Sequence, residues 1–233
     1  MPIDRAILFA SIRKSIFGGR MSAPQVSGTE RILTAFDLYG TRDRRHLAYI
    51  LATDVRETGR RMQPVREAFG TSTADTIARL DKAWAAGKLG SVKTPYWRAG
   101  WFGRGDVQLT HEDNYRRMGT LLGVDLVGNP DLALDPTISA RIIVEGMLRG
   151  VSGRGDFSGS GKALEDYISG SRCDYIGARY TVNGQDAAAE IAANAKLIER
   201  ALIDAGATTI LMPVPVPPSV PAVCPNCGQK LAA

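Results

Sequence analysis

Apolar residues recur at helical spacing along most of this chain, and the breaks between the periodic runs carry helix caps and turn residues. Asp4 is placed to cap a first helix running to about Phe17, ahead of Gly18 and Gly19. Ser27, Gly28, Thr29 and Glu30 form a capping-box pattern before a second, with Ile32, Leu33 and Phe36 on one face. Leu47, Ile50, Leu51 and Val55 mark a third, and Thr73 opens a fourth that carries Ile77, Leu80 and Trp84 and stops at Gly87. Thr110 to Asp113 reads as a capping box for a helix bearing Tyr115, Met118, Leu121 and Leu122, closed by Gly123. Asp135 and Pro136 start another that runs to Arg149. The last long helix, with Ile191, Ala195, Ile198 and Leu202, follows the turn at Asn183 and Gly184 and ends near Gly206. Only Lys88 to Leu109 lacks this period. Its Gly, aromatic and β-branched residues predict a small hairpin or irregular β region, the one sheet expected in a mainly α (α+β) protein.

Past Gly206 the composition changes. Met212 to Val223 is Pro, Val and small residues, which predicts an extended linker leading to Cys224, Pro225, Asn226, Cys227 and Gly228. The chain therefore divides into a domain over 1–208, a linker over 209–222 and a short tail over 223–233. The Cys224/Cys227 pair resembles one knuckle of a zinc ribbon, but a tetrahedral zinc needs four ligands. Cys173, His46 and His111 lie in the helical body, so no complete metal site and no cofactor is expected, and the pair is at most half of a site. Three cysteines make no multi-bridge scaffold, which fits synthesis in a reducing cytoplasm. The apolar piece Ala6 to Ile12 is too short for a membrane span and reads as an amphipathic helix instead of a signal peptide. A formal charge of +5 favours anionic partners: nucleic acid, a membrane surface or the acidic polymers of a bacterial wall. The basic residues are dispersed and no nucleic-acid module is present, which argues against nucleic acid.

Candidate chemistry concentrates in Phe102 to Tyr115, FGRGDVQLTHEDNY, where a Gly-flexed basic turn stands against an amide and a hydroxyl. The stretch resembles the GRGxxQL[ST]xxxNY signature of glycoside hydrolase family 19, the chitinase and phage-endolysin group of the lysozyme-like superfamily. Arg56 to Gly59 (RETG) resembles its HET(G) element, Gln63 to Glu67 (QPVRE) its endolysin-type members, and Gly123 to Pro136 the segment after the signature. The resemblance implies a two-lobed, lysozyme-like helical domain with a small β-hairpin region beside the cleft. Arg56 stands where the family has His, a residue that is not the proton donor, so activity is expected to survive.

Glu57 sits beside an apolar stripe in the last turn of its helix; partial burial and the helix C-terminus both disfavour its charged form and suit a general acid. Glu67, beyond Pro64, can face it across a turn, and glycoside hydrolysis needs such a pair. Asp54, Asp106 and Glu112 are the alternative second acids. The resemblance implies inversion, hence a gap of roughly 6.5 to 9.5 Å that admits the attacking water. Thr110 matches the family residue that holds this water, and Gln108 and Asn114 match its sugar-binding amides. Thr110 is also placed to cap the following helix. Asn183 resembles a substrate-binding Asn in an INGG turn, although Gln185 replaces its second Gly. Tyr115 closes the signature, and Tyr96, Trp97 and Trp101 are candidates to stack on sugar faces.

These features point to a peptidoglycan-degrading endolysin, monomeric, made without a signal peptide and acting on the bacterial wall after release. A chitinase is the rival within the enzyme class. A lytic transglycosylase manages with one acid and leaves an anhydro product, and a non-catalytic wall-binding module needs neither Glu57 nor Glu67.

Overall fold

Asp4 accepts a hydrogen bond from the Ile7 amide, and helix α1 (Arg5–Ser15) begins where that cap places it. The structure, a computed structural model, describes residues 2–90, 92–149 and 161–208. The linker, the Cys224/Cys227 tail and the Gly/Ser-rich stretch 150–160 lie outside the described residues. Among the described residues six more α-helices follow: α2 (Ala23–Tyr39), α3 (Arg44–Glu57), α4 (Thr73–Ala85), α5 (Glu112–Leu122), α6 (Pro136–Leu148) and α7 (Ala188–Asp204). None is long and apolar enough to cross a membrane.

Helix α3 is the axis of the fold. Every residue from His46 to Val55 is buried, the mark of a helix enclosed on all sides. It packs along α7 and also touches α2 and α6, while α1 lies on α7 and α2 on α6. Each fully buried Leu or Ile on it contributes roughly 1.5–3 kcal/mol. Its one histidine is structural: His46 Nδ1 meets Thr41 Oγ1 and Nε2 meets the Ile168 carbonyl, both at 2.9 Å. Burial lowers its pKa, so the ring stays neutral. A second, smaller cluster of Leu80, Trp97 and Phe102, packed with Ile77, Trp84, Leu89 and Val92, forms the core of the minor lobe around α4.

Local structure departs from the sequence reading in three places. Helix α2 is capped five residues before the expected position, because Ser22 and Gln25 make the capping box and Pro24 occupies the first turn. Gly28 then lies inside the helix, where a Cβ would stand 1.7 Å from the Met62 carbonyl oxygen. At α5 the Thr110 box does not form: His111 holds the N-cap position at φ 70° and no side chain caps the helix. Glu112 and Asp113 instead place negative charge in its first turn, which the helix N-terminus favours. Finally, there are two small sheets, not one, among the described residues. Strand β1 (Val65–Arg66) pairs antiparallel with β2 (Arg104–Gly105), and β3 (Ile168–Ser169) pairs with β4 (Arg172–Cys173). Strands this short give no alternation to read.

Candidate active site

The β1–β2 pairing, Val65 opposite Gly105 and Arg66 opposite Arg104, sets the segment that carries Glu67 against the signature turn. Arg104 is the clamp of that turn. It is buried, donates to Asp131 at 2.7 Å, to the Gly100 carbonyl at 2.8 Å and to Tyr115 Oη at 3.0 Å, and lies over the Phe102 ring. Gly105 adopts φ 86°, and a Cβ there would meet the Ala133 carbonyl at 2.8 Å. Gly103 is required for a different reason: a Cβ would stand 2.8 Å from Gln108 Oε1 and block the amide from folding back over the turn.

A cleft of about 710 Å³ opens beside this turn, and both Glu57 and Glu67 line it. Tyr96, Gln108, Thr110, Asn114 and Asn183 line it as well. Glu67 is held from two sides, because its Oε1 accepts from Tyr96 Oη and its Oε2 from the Gly103 amide, each at 2.7 Å. The Glu67 amide in turn donates to the Gly103 carbonyl at 2.8 Å. Burial and the neighbouring Glu67 raise the Tyr96 phenol, so it stays protonated and remains a donor. Both oxygens of Glu67 are thus acceptors, the role of a carboxylate.

Glu57 ends α3, and its Oε1 accepts from Arg179 Nη1 at 2.7 Å. Arg179 is 2% exposed and is itself braced by Asp186, through the carbonyl at 3.1 Å and the carboxylate at 3.4 Å. Burial and the helix terminus at Glu57 are local features, whereas the fold brings this cation from 122 positions away, where no local pattern announces it. Arg56 points elsewhere, to Glu190 at 3.4 Å.

The remaining wall is built from short local bonds. Gln108 Nε2 donates to the carbonyls of Val65 (3.0 Å) and Gly105 (3.2 Å), and Thr110 Oγ1 donates to the Gln108 carbonyl at 2.7 Å. Asn114 donates to the Thr110 carbonyl at 2.7 Å and accepts from Arg117 Nη2 at 2.8 Å. His111, Asp113 and Arg117 also line the cleft. Asp113 and Arg117 were readable: on a helix they share a face with Thr110 and Asn114, opposite the Tyr115, Met118 and Leu122 stripe.

Several expected site residues lie elsewhere. Tyr115 is fully buried, donates to the Phe102 carbonyl at 2.9 Å, and has its phenol pushed up to about 12 by burial, so it is core and cannot touch a sugar. Trp101 packs against the main core 5.5 Å from the Tyr115 ring and is not among the cleft residues. Trp97 is buried, with its indole N–H on Asp81 at 2.8 Å. Of the alternative acids, Asp54 and Asp106 are enclosed in the interior, and Glu112 pairs with Arg116 on the surface. No group of metal-ligating residues occurs among the described residues.

Among the described residues, seven helices and a small β pairing beside a cleft make a helical, lysozyme-like architecture, with Glu57 and Glu67 both lining the cleft, and comparison with known proteins agrees on the fold. A bacterial family 19 chitinase superposes with a TM-score of 0.51 over 90% of this chain and 97% of its own, at 20% identity. Chitinase C from Streptomyces griseus HUT6037 gives 0.50 over 89% and 78%, at 18% identity. In sequence, residues 80–146 match the family model for chitinase class I, glycoside hydrolase family 19. Chitinase 11 of Oryza sativa subsp. japonica is 35% identical over 85 residues, which is 33% of this chain and 32% of its own length. Acidic endochitinase Q of Nicotiana tabacum is 35% identical over 95 residues, covering 33% and 38%. The chain thus carries the family 19 fold and, over about a third of its length, the family 19 sequence pattern. The matched 80–146 segment contains the signature but neither Glu57 nor Glu67.

Proposed function

We propose that this protein is a glycoside hydrolase that cleaves β-1,4 bonds of an N-acetylhexosamine polymer with inversion. The observation that carries the reading is the presence of Glu57 and Glu67 in one cleft on separate elements, each held by its own donors. Glu57 protonates the leaving oxygen from Oε2, since Oε1 is taken by Arg179. Glu67 accepts the proton of a water that attacks the opposite face of the sugar. Thr110 uses its hydroxyl proton on the Gln108 carbonyl, which leaves its oxygen to accept a hydrogen from that water. Gln108, Asn114 and Asn183 hold the sugar amides and hydroxyls.

Bacterial peptidoglycan is the substrate we favour. Arg117 lines the cleft and is steadied by Asn114 and the Asp113 carbonyl, with no ion-pair partner among the described residues. A guanidinium so placed suits a polymer whose stem peptides carry carboxylates along the glycan. Chitin is the second reading, favoured by the names of the relatives, which are chitinases. Mass spectrometry of digested peptidoglycan and of chitin oligomers decides between them. Reducing ends on peptidoglycan fragments are expected. Anhydro ends would mean a transglycosylase, and products from chitin alone would make the protein a chitinase.

A further inference from the structure

Two carboxyl groups and one guanidinium come together in the protein interior. Asp54 on α3 and Asp106 in the signature turn are both 0% exposed. Arg31 on α2 donates to both oxygens of Asp106, one bond measuring 2.9 Å, and also to the carbonyls of Met62 and Pro136 at 3.1 Å. The Asp106 amide is taken by Ser139 Oγ at 2.9 Å. Asp54 has no donor: neither of its oxygens meets an N–H or O–H among the described residues, and the group within hydrogen-bonding reach is the Asp106 carboxylate.

Two bare carboxylates side by side, facing one cation in an enclosed site, would leave an uncompensated buried charge, which is strongly unfavourable. One proton removes it. Arg31 stabilises the charge on Asp106, so the proton belongs on Asp54. We propose that Asp54 is a neutral acid whose hydroxyl donates to Asp106, and that this bond positions Glu57 relative to the wall that bears Gln108 and Thr110. Asp54 stands one helical turn before Glu57. Asp106 lies between Gly105, whose carbonyl receives Gln108 Nε2, and Val107, which lines the cleft. The bond is therefore the tie between the helix that ends on the acid and the turn that builds the opposite wall. The charged groups that bear on Asp54 are Arg31 from α2, Asp106 from the turn and Glu57 from its own helix, with Asp135 acting on Arg31 from the start of α6.

The positioning role rests on the reading of Glu57 as the acid; the shared proton does not. Infrared spectra in D2O at neutral pH test the proton, and kcat and KM of two variants on the cleaved glycan test the positioning. Wild type is expected to show a protonated-carboxyl stretch that Asp54→Asn lacks. Asp106→Asn should also lose it, because Asp54 then ionises against Arg31. Asp54→Asn keeps a donor toward Asp106 and should stay within about threefold of wild-type kcat, whereas Asp54→Leu should lose about 10- to 100-fold in kcat at little-changed KM. Absence of the band in wild type would overturn the shared proton. Equal impairment of the Asn and Leu variants, or full activity in both, would overturn the positioning role. If Asp54→Leu does not fold, the band in Asp106→Asn and the activity of Asp54→Asn decide. A wild type without glycosidase activity would strike the functional reading and the positioning role together, while the infrared band still judges the proton.

Discussion

Arg179 Nη1 and Glu57 Oε1, 2.7 Å apart, join the end of the central helix to a buried cation that Asp186 braces from behind. The contact occupies one oxygen of Glu57 and orients the other. A carboxyl that must deliver a proton along one direction gains from such a fixed handle, because misalignment of the donor costs rate steeply.

Glu57→Gln keeps an oxygen for Arg179 and removes the transferable proton. Its kcat should fall by roughly 10²- to 10⁴-fold. Its melting temperature should stay close to wild type, since Arg179 retains Asp186. Near-normal turnover by this variant, with an unchanged melting curve, would remove Glu57 from the acid's role.

Tyr96→Phe deletes one of the two donors to Glu67 and leaves the Gly103 amide in place. A loss of about tenfold in kcat is expected, the size of one hydrogen bond to a charged group. Glu67→Gln should be far more severe, because an amide cannot accept the proton of the attacking water. If the two variants prove equally mild, the water is activated by another group.

Arg117→Gln tests the substrate. On peptidoglycan it should raise KM about five- to tenfold with kcat little changed, the effect of one charge-assisted contact, and neutral chitin oligomers should show no change. Steady-state kinetics on both polymers at fixed ionic strength makes the comparison. An equal KM effect on the two would show that Arg117 reads no carboxylate.

The buried carboxyls set opposite pH dependences. Burial, and then the charge of Asp106, hold Asp54 well above its ordinary value of 3.8. The folded state binds that proton more tightly than the unfolded chain, so stability contributed by Asp54 is greatest at acid pH. It declines as pH rises from about 4 through the folded-state value. Asp43 has the reverse sign: burial pushes it upward, but the hydrogen bonds from Arg45 outweigh this and hold it low, so its contribution disappears as pH falls. Asp54→Asn should therefore melt progressively higher than wild type as pH increases, and the difference should shrink toward pH 4. A constant difference across the range would mean that Asp54 does not titrate on unfolding.

The helical part of this architecture was readable because caps and apolar period act locally. Asp4 and Asp135 mark starts and Gly123 marks an end with no help from distant residues. What the sequence left hidden was set by long-range contact. The core place of Tyr115 depends on Arg104 and the Phe102 carbonyl. Thr110 differs, since its partner lies two residues away. Its hydroxyl turns to the Gln108 carbonyl because Gln108 adopts φ 56°, a conformation that the composition of the segment does not announce. Arg179, the donor to Glu57, has no signature of its own in the chain, while the Gly103 amide, a donor to Glu67, belongs to the signature turn but shows its partner only in the fold.

That last donor has an evolutionary edge. The hydrogen that Gly103 gives to Glu67 belongs to the main chain, so nineteen of the twenty genetically encoded residues would supply it and only proline would not. Tyr96 is erasable by one codon change; its counterpart is not. Under relaxed selection the two grips on Glu67 should decay unequally. The aromatic one would be lost first, and a weakened enzyme would persist for as long as the close approach of Gln108 still demands glycine at position 103.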